Sequence, residues 1–183
     1  MATSKSETGS TGAASTVTPG RDFVISRVFD APRELVWRAF TECEHLMHWW
    51  GPKGFTMVSC KLDLRPGGVF HYCLQSPDGQ KMWGKFIYRE IVPPERLVHT
   101  VSFSDENQGV TRHPMSPTWP LETLADATLT ERDGKTTLTV RWRPHDATDE
   151  ERAMFDASHD NMRQGWTGTM DQLADYLAKA RHG

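Results

Sequence analysis

Apolar positions along the chain recur in two rhythms. From Phe23 to Phe29 the run Phe-Val-Ile-Ser-Arg-Val-Phe is β-branched and aromatic and reads as a strand. Leu35, Val36, Ala39 and Phe40 then recur at helical spacing, predicting an amphipathic helix from Pro32 to about Thr41. Asp30 is placed to cap it, and Pro32 lies near the first-turn position that tolerates proline. A second short helix covers Glu44 to Trp49, stopped by Gly51-Pro52. Four strands follow: Phe55 to Leu64, Val69 to Leu74, Met82 to Ile91 and Leu97 to Ser104. They are separated by Arg65-Pro66-Gly67-Gly68, Ser76-Pro77-Asp78-Gly79 and Pro93-Pro94. In the second of these strands Phe70, Tyr72 and Leu74 form the inward set, which turns His71 outward. The third carries apolar residues on both faces and gives no clear inward side. Asp105 to about Pro120 is a long irregular segment of the kind that is usually functional or disordered.

Leu121 to Glu131 and Lys135 to Arg143 form a hairpin around Arg132-Asp133-Gly134. Leu138, Val140 and Trp142 alternate inward against Thr137, Thr139 and Arg141. Thr148 with Glu151 three residues on is a capping-box pattern. From there to about Lys179 the helical pattern runs without proline, and Phe155, Met162, Trp166, Thr169, Leu173, Tyr176 and Leu177 share a broad face. Gly165 and Gly168 each cost about 1 kcal/mol relative to alanine in a helix. Close approach of helix to sheet is the first explanation, and a local bend that widens a pocket is the second. A curved sheet wrapped on one long helix is the simplest way to bury both, and it leaves a hollow between them.

Composition narrows the function. The chain has 183 residues, one domain with a tail. Residues 1–20 are mostly Ser, Thr, Gly and Ala with almost no large apolar residues and read as a flexible N-terminal tail, part of it compatible with a tag or linker remnant; 21–183 form the folded part. A net charge of −3 gives no electrostatic footprint for nucleic acid or an anionic membrane. No apolar run approaches a membrane span, so no membrane insertion is expected, and no secretory signal is seen. Cys43, Cys60 and Cys73 are odd in number and widely spaced. That pattern fits a reducing compartment better than a disulfide framework, and a cytoplasmic protein is the expectation.

Five motifs occur in order: Asp30-Ala31-Pro32-Arg33-Glu34-Leu35-Val36-Trp37-Arg38-Ala39-Phe40; Trp49-Trp50-Gly51-Pro52; Asp63-Leu64-Arg65-Pro66-Gly67-Gly68; Glu90-Ile91-Val92-Pro93-Pro94-Glu95-Arg96-Leu97; and Gly165-Trp166. From Phe23 to about Ala180 the chain resembles the bacterial branch of the SRPBCC (START/Bet v 1-like) superfamily related to the activator of Hsp90 ATPase, the AHSA1-like branch. The resemblance implies an α+β helix-grip fold: a curved antiparallel β-sheet wrapped around a long C-terminal helix, with two short helices after the first strand. It also implies a cavity between helix and sheet. The superfamily includes lipid carriers, hormone receptors, polyketide cyclases and a co-chaperone, so the fold does not fix the chemistry.

The sequence carries no HExxH, P-loop, GxGxxG or GxSxG motif, and no cofactor is expected. Cys43, His45 and His48 lie close together but make no recognisable ligand set, and helix-surface histidine is the better reading, with no metal expected. His99 alternates with Leu97, Val101 and Phe103 on an apolar face, where desolvation would lower its pKa and leave a neutral base. The Asp105–Pro120 segment is read as a lid, with Arg112 and His113 meeting a polar ligand end; the competing reading pairs Arg112 with a carboxylate and plugs the core with Trp119. The candidate ligand-binding set is Trp50, Phe70, Tyr72, Trp83, His99, Phe103, Arg112, His113, Trp119, Trp142, Phe155 and Met162. Each is individually more at home in a core, but a concave face obliges some of them to reach the hollow. The expected function is binding of a hydrophobic or aromatic small molecule. The alternatives are a cyclase- or dehydratase-like enzyme using the same cavity and an Hsp90-type chaperone-interaction module; the Trp-rich sheet edge also offers a homodimer surface.

Overall fold

A computed structural model describes residues 21–182, and the expected tail at 1–20 lies outside the described residues. The elements follow the order β1 (Phe23–Phe29), α1 (Arg33–Thr41), α2 (Cys43–Leu46), β2 (Thr56–Leu62), β3 (Val69–Gln75), β4 (Lys81–Val92) and β5 (Arg96–Ser104). Then come β6 (Val110–Thr111), β7 (Glu122–Arg132), β8 (Lys135–His145), α3 (Asp149–Ala157) and α4 (His159–Arg181). The strands form one antiparallel sheet in the order β1-β8-β7-β5-β4-β3-β2, with β6 paired to the end of β5. The long connection from β1 to β2 carries α1 and α2 and lets the first strand pair with the last, Ile25 facing Val140.

Alternation decides the faces. In β8, Leu138 and Val140 are buried while Arg141 is exposed, and in β7 Leu124 gives way to the buried Ala125, Ala127 and Leu129 on the inner side. His71 and Cys73 do point away from this inner face, yet both are buried. The turn after β5 reaches His71: His71 Nε2 lies 2.9 Å from the Asp105 carbonyl, and the imidazole stacks on Trp83 with centroids 4.8 Å apart.

Three local expectations are corrected. Asp30 does not cap α1; its carboxylate pairs with Arg181 at 2.9 Å, and the Arg33 N–H donates instead to Glu131 Oε2 at 2.7 Å. The C-terminal helix is not continuous. The Thr148–Glu151 capping box is present, but the helix kinks at Ser158, whose hydroxyl donates to the Met154 carbonyl at 2.7 Å. A serine hydroxyl bonded back to residue i−4 bends a helix, and the Ser158 N–H reaches only Phe155. Thirdly, Cys43 and Cys60 form a disulfide that ties α2 to β2, leaving only Cys73 free. The cysteine pattern therefore gives no ground for a reducing compartment. No helix among the described residues is long and apolar enough to cross a membrane.

Candidate functional site

The two halves of α4 differ. Met170, Leu173 and Leu177 are fully buried in the core, whereas Met162, Gly165, Trp166 and Thr169, one stripe at helical spacing, look onto a cavity of about 610 Å³. The inner faces of β3, β4, β5, β7 and β8 form its other wall. The segment after β6 covers part of it through His113, Ser116, Trp119 and Pro120. Among the lining residues, Pro52, Asn161 and Gly165 are exposed and mark the side open to solvent.

The Trp49-Trp50-Gly51-Pro52 motif builds one end. The Trp49 indole N–H donates to the Ala39 carbonyl at 3.0 Å, fixing the turn to α1. Gly51 adopts φ +114°, a conformation that disfavours any side chain, and a Cβ there would also meet Leu74 at 2.9 Å. Its carbonyl accepts from Gln172 Nε2 at 2.6 Å and from Thr169 Oγ1 at 3.3 Å, which pins α4 to the turn. Trp50 is thereby held in the cavity wall, edge-on to Phe86, Tyr72 and Trp166 with centroids 5.6 to 6.1 Å apart. Tyr72 lies flat over its cross-strand partner Gly84, where an added Cβ would sit 2.3 Å from the phenol.

Gly165 is not a point of close approach. A Cβ added there, or at Gly168, meets nothing within 4 Å. The helix stands off the sheet at this level, and the missing side chain leaves the cavity mouth open.

Nine of the twelve candidate residues border the cavity: Trp50, Tyr72, Trp83, His99, Phe103, His113, Trp119, Trp142 and Met162. Trp83 does so only at its edge, since its ring stacks on His71 on the outer side of the sheet. Phe70 and Phe155 are sealed in the core, Phe70 beneath Tyr72 and Phe86, and Phe155 behind Trp119 and Trp142. Arg112 turns away: its guanidinium bonds Glu151 at 2.5 Å and so fastens the covering segment to α3. The competing sequence reading therefore describes Arg112, while Trp119 both packs against Phe155 and faces the cavity.

Sequence reasoning left out Trp166, Tyr88, Phe86 and Met82, all of which line the cavity. The signal for Trp166 was its helical spacing from Met162. Tyr88 and Phe86 belong to the strand with apolar residues on both faces, where alternation alone gives no answer.

Polar groups deep in the cavity are few. His99 is 7% exposed and stacks on Phe86 at 4.0 Å, and burial lowers its pKa to about 4. Tyr72 is pushed up to about 12 by burial, and burial raises Tyr88 further still. Burial also lowers the pKa of His113, which meets Phe103 edge-on at 4.7 Å and accepts the Met115 N–H at its Nδ1, 3.0 Å away. At neutral pH these groups are all uncharged, and the interior is apolar, aromatic and neutral.

A curved antiparallel sheet closed by a kinked C-terminal helix over an aromatic hollow defines a helix-grip α+β protein. The family model described as "Activator of Hsp90 ATPase homolog 1-like protein" matches residues 30–178, and the chain belongs to that family. A structure from Nitrosomonas europaea is 27% identical, with 88% of this chain covering 97% of that one at a TM-score of 0.70. A Chromobacterium violaceum protein is 25% identical over 85% of this chain and 96% of its own, with a TM-score of 0.65. The AHSA1 protein of Silicibacter pomeroyi, 20% identical over 87% of this chain and 99% of its own at a TM-score of 0.66, shares the fold. No protein of curated function matches the chain.

Proposed function

We propose that the protein binds an apolar, ring-containing small molecule in the cavity between α4 and the sheet. The observation that carries this reading is a hollow of about 610 Å³ lined by aromatic rings and open on one side past Pro52, Asn161 and Gly165. Ligand sites are commonly concave, mostly apolar and of about 300–1,000 Å³, with a few placed polar groups. Edge-to-face rings around Trp50, Trp142 and Trp166 offer both flat faces and positive edges to a bound ring. The neutral interior favours an uncharged ligand or an uncharged ligand segment.

Native mass spectrometry of protein isolated from its own host, with a denatured control, tests this. One defined apolar molecule per chain supports binding and identifies the ligand class. An empty protein that also fails to take up added apolar aromatics would refute it.

A further inference from the structure

The Cys43–Cys60 bond closes a loop of 17 residues' separation, and that loop holds the whole Trp49-Trp50-Gly51-Pro52 turn. Trp50, Gly51 and Pro52 line the cavity, so one end of the ligand site is carried on a segment tied off covalently at its base. The non-covalent hold on that base is slight. α2 is four residues long, far below the length at which a helix stands alone. β2 is the edge strand, paired only to β3, with a register shift between Met57 and Ser59, and only Met57 of its residues is buried. The bond also reaches the opposite wall. Cys60 pairs across the ladder with Tyr72, and the Tyr72 ring meets Trp50 edge-on at 6.0 Å. Disulfide, α2, Trp50, Tyr72 and β2 therefore form a closed circuit at this end of the cavity.

Both bonded cysteines are half-buried, whereas Cys73 is 1% exposed. Burial raises the Cys73 thiol above its ordinary pKa, which leaves it inert, and its ladder partner is Ser59 rather than Cys60.

We propose that the Cys43–Cys60 bond is a redox control on the cavity: oxidised, it sets Trp50, Gly51 and Pro52 in the wall for binding, and its reduction by a dithiol loosens that end and releases ligand. A thiolate of the dithiol attacks one sulfur of the bond to give a mixed disulfide, and the second thiolate displaces the protein. The dithiol leaves as a disulfide, and Cys43 and Cys60 take up its two electrons and two protons as thiols. The fold persists, because the Trp49 indole still donates to Ala39 and the Gly51 carbonyl still accepts from Gln172 and Thr169. With the turn in its binding arrangement for about a tenth of the time, affinity falls about tenfold. The inference rests on the cavity being a ligand site and adds how that site is regulated.

N-phenyl-1-naphthylamine is titrated against the oxidised chain, the chain reduced with dithiothreitol, Cys43→Ser/Cys60→Ser and Cys73→Ser, at a temperature where circular dichroism shows each folded. The expected result is a Kd about tenfold higher after reduction. The serine pair should match the reduced chain and ignore dithiothreitol, and Cys73→Ser should respond as the unmodified chain does. Binding then protects the bond by the same factor, so saturating probe should shift the dithiothreitol equilibrium about tenfold toward the disulfide. If the serine pair does not fold, Cys43→Ala/Cys60→Val, which keeps apolar bulk between α2 and β2, takes its place. Equal affinity in the oxidised and reduced chains, or a response that is lost in Cys73→Ser, overturns the proposal. Unfolding of the reduced chain and both variants also overturns it and makes the bond a structural staple. No binding to the oxidised chain overturns the cavity reading itself, a result distinct from binding that ignores the redox state.

Discussion

Gly84→Ala should destabilise this protein although alanine is the better strand residue. Gly84 stands opposite Tyr72 across β3 and β4, and the added Cβ would lie 2.3 Å from the phenol carbon and oxygen, far inside contact distance. Tyr72 is 8% exposed and hemmed in by Phe70, Phe86 and Trp50, so it has little room to retreat. Overpacking of this kind costs about 1–3 kcal/mol. A gain of about 0.5–1 kcal/mol for replacing glycine in a strand offsets part of it. The mid-range net loss is about 1 kcal/mol, which for a chain of this size lowers Tm by about 2–4 °C. The decisive variant is the pair. With Tyr72→Val the ring is gone, and Gly84→Ala should then be neutral or stabilising by about 0.5–1 kcal/mol. The assay is a double-mutant cycle by thermal and urea denaturation. If Gly84→Ala has the same effect with and without the Tyr72 ring, the close approach of ring to backbone is not what demands glycine.

Three further outcomes follow from particular contacts. Burial alone would raise the Glu151 pKa, but the Arg112 guanidinium and the Thr148 cap outweigh it, and the carboxyl is held below its ordinary value. Its contribution to stability is therefore present above the unfolded Glu pKa and is lost as pH falls through the lowered value. Arg112→Ala should move the acid limb of a Tm-against-pH curve to higher pH, and an unshifted limb would argue against the ion pair as a fastening. Serine at both Cys43 and Cys60 opens a loop of 17 residues' separation and should cost about 3 kcal/mol, read as a Tm loss of about 6–12 °C that reducing agent reproduces in the unmodified protein. Gly165→Ala meets open space and gains helix propensity, so Tm should rise by about 2–4 °C, whereas a fall would mean that the helix does approach the sheet there.

The strands and helices were readable because the sheet has one wet and one dry face along most of its length. In β8 the alternation of Leu138, Val140 and Trp142 is unbroken, and the same rule placed Tyr72 and His99 on the concave side. It failed where a second layer covers the outer face. β4 is apolar on both sides because Trp83 stacks on His71 on the outer face, beside the Asp105 turn, so Phe86 and Tyr88 were not separable from Trp83 and Ile87 by period alone. Gly165 was misjudged for a related reason. A glycine in a helix looks the same in sequence whether the neighbouring sheet is close or distant, and only the separation of the layers distinguishes the two. The Ser158 kink depends on which way one hydroxyl turns, and the Cys43–Cys60 bond on bringing α2 beside β2. Neither is written in residue spacing.

Titration with N-phenyl-1-naphthylamine, a neutral apolar fluorophore, decides whether the hollow between α4 and the sheet is a ligand site. Saturable binding of one probe per chain is expected, with quenching of the Trp50, Trp142 and Trp166 emission. Gly165→Trp, which places an indole in the open mouth, should abolish both signals while leaving the fold intact by circular dichroism. Absence of saturable binding, or binding that Gly165→Trp leaves untouched, would contradict the assignment of the cavity as the functional site.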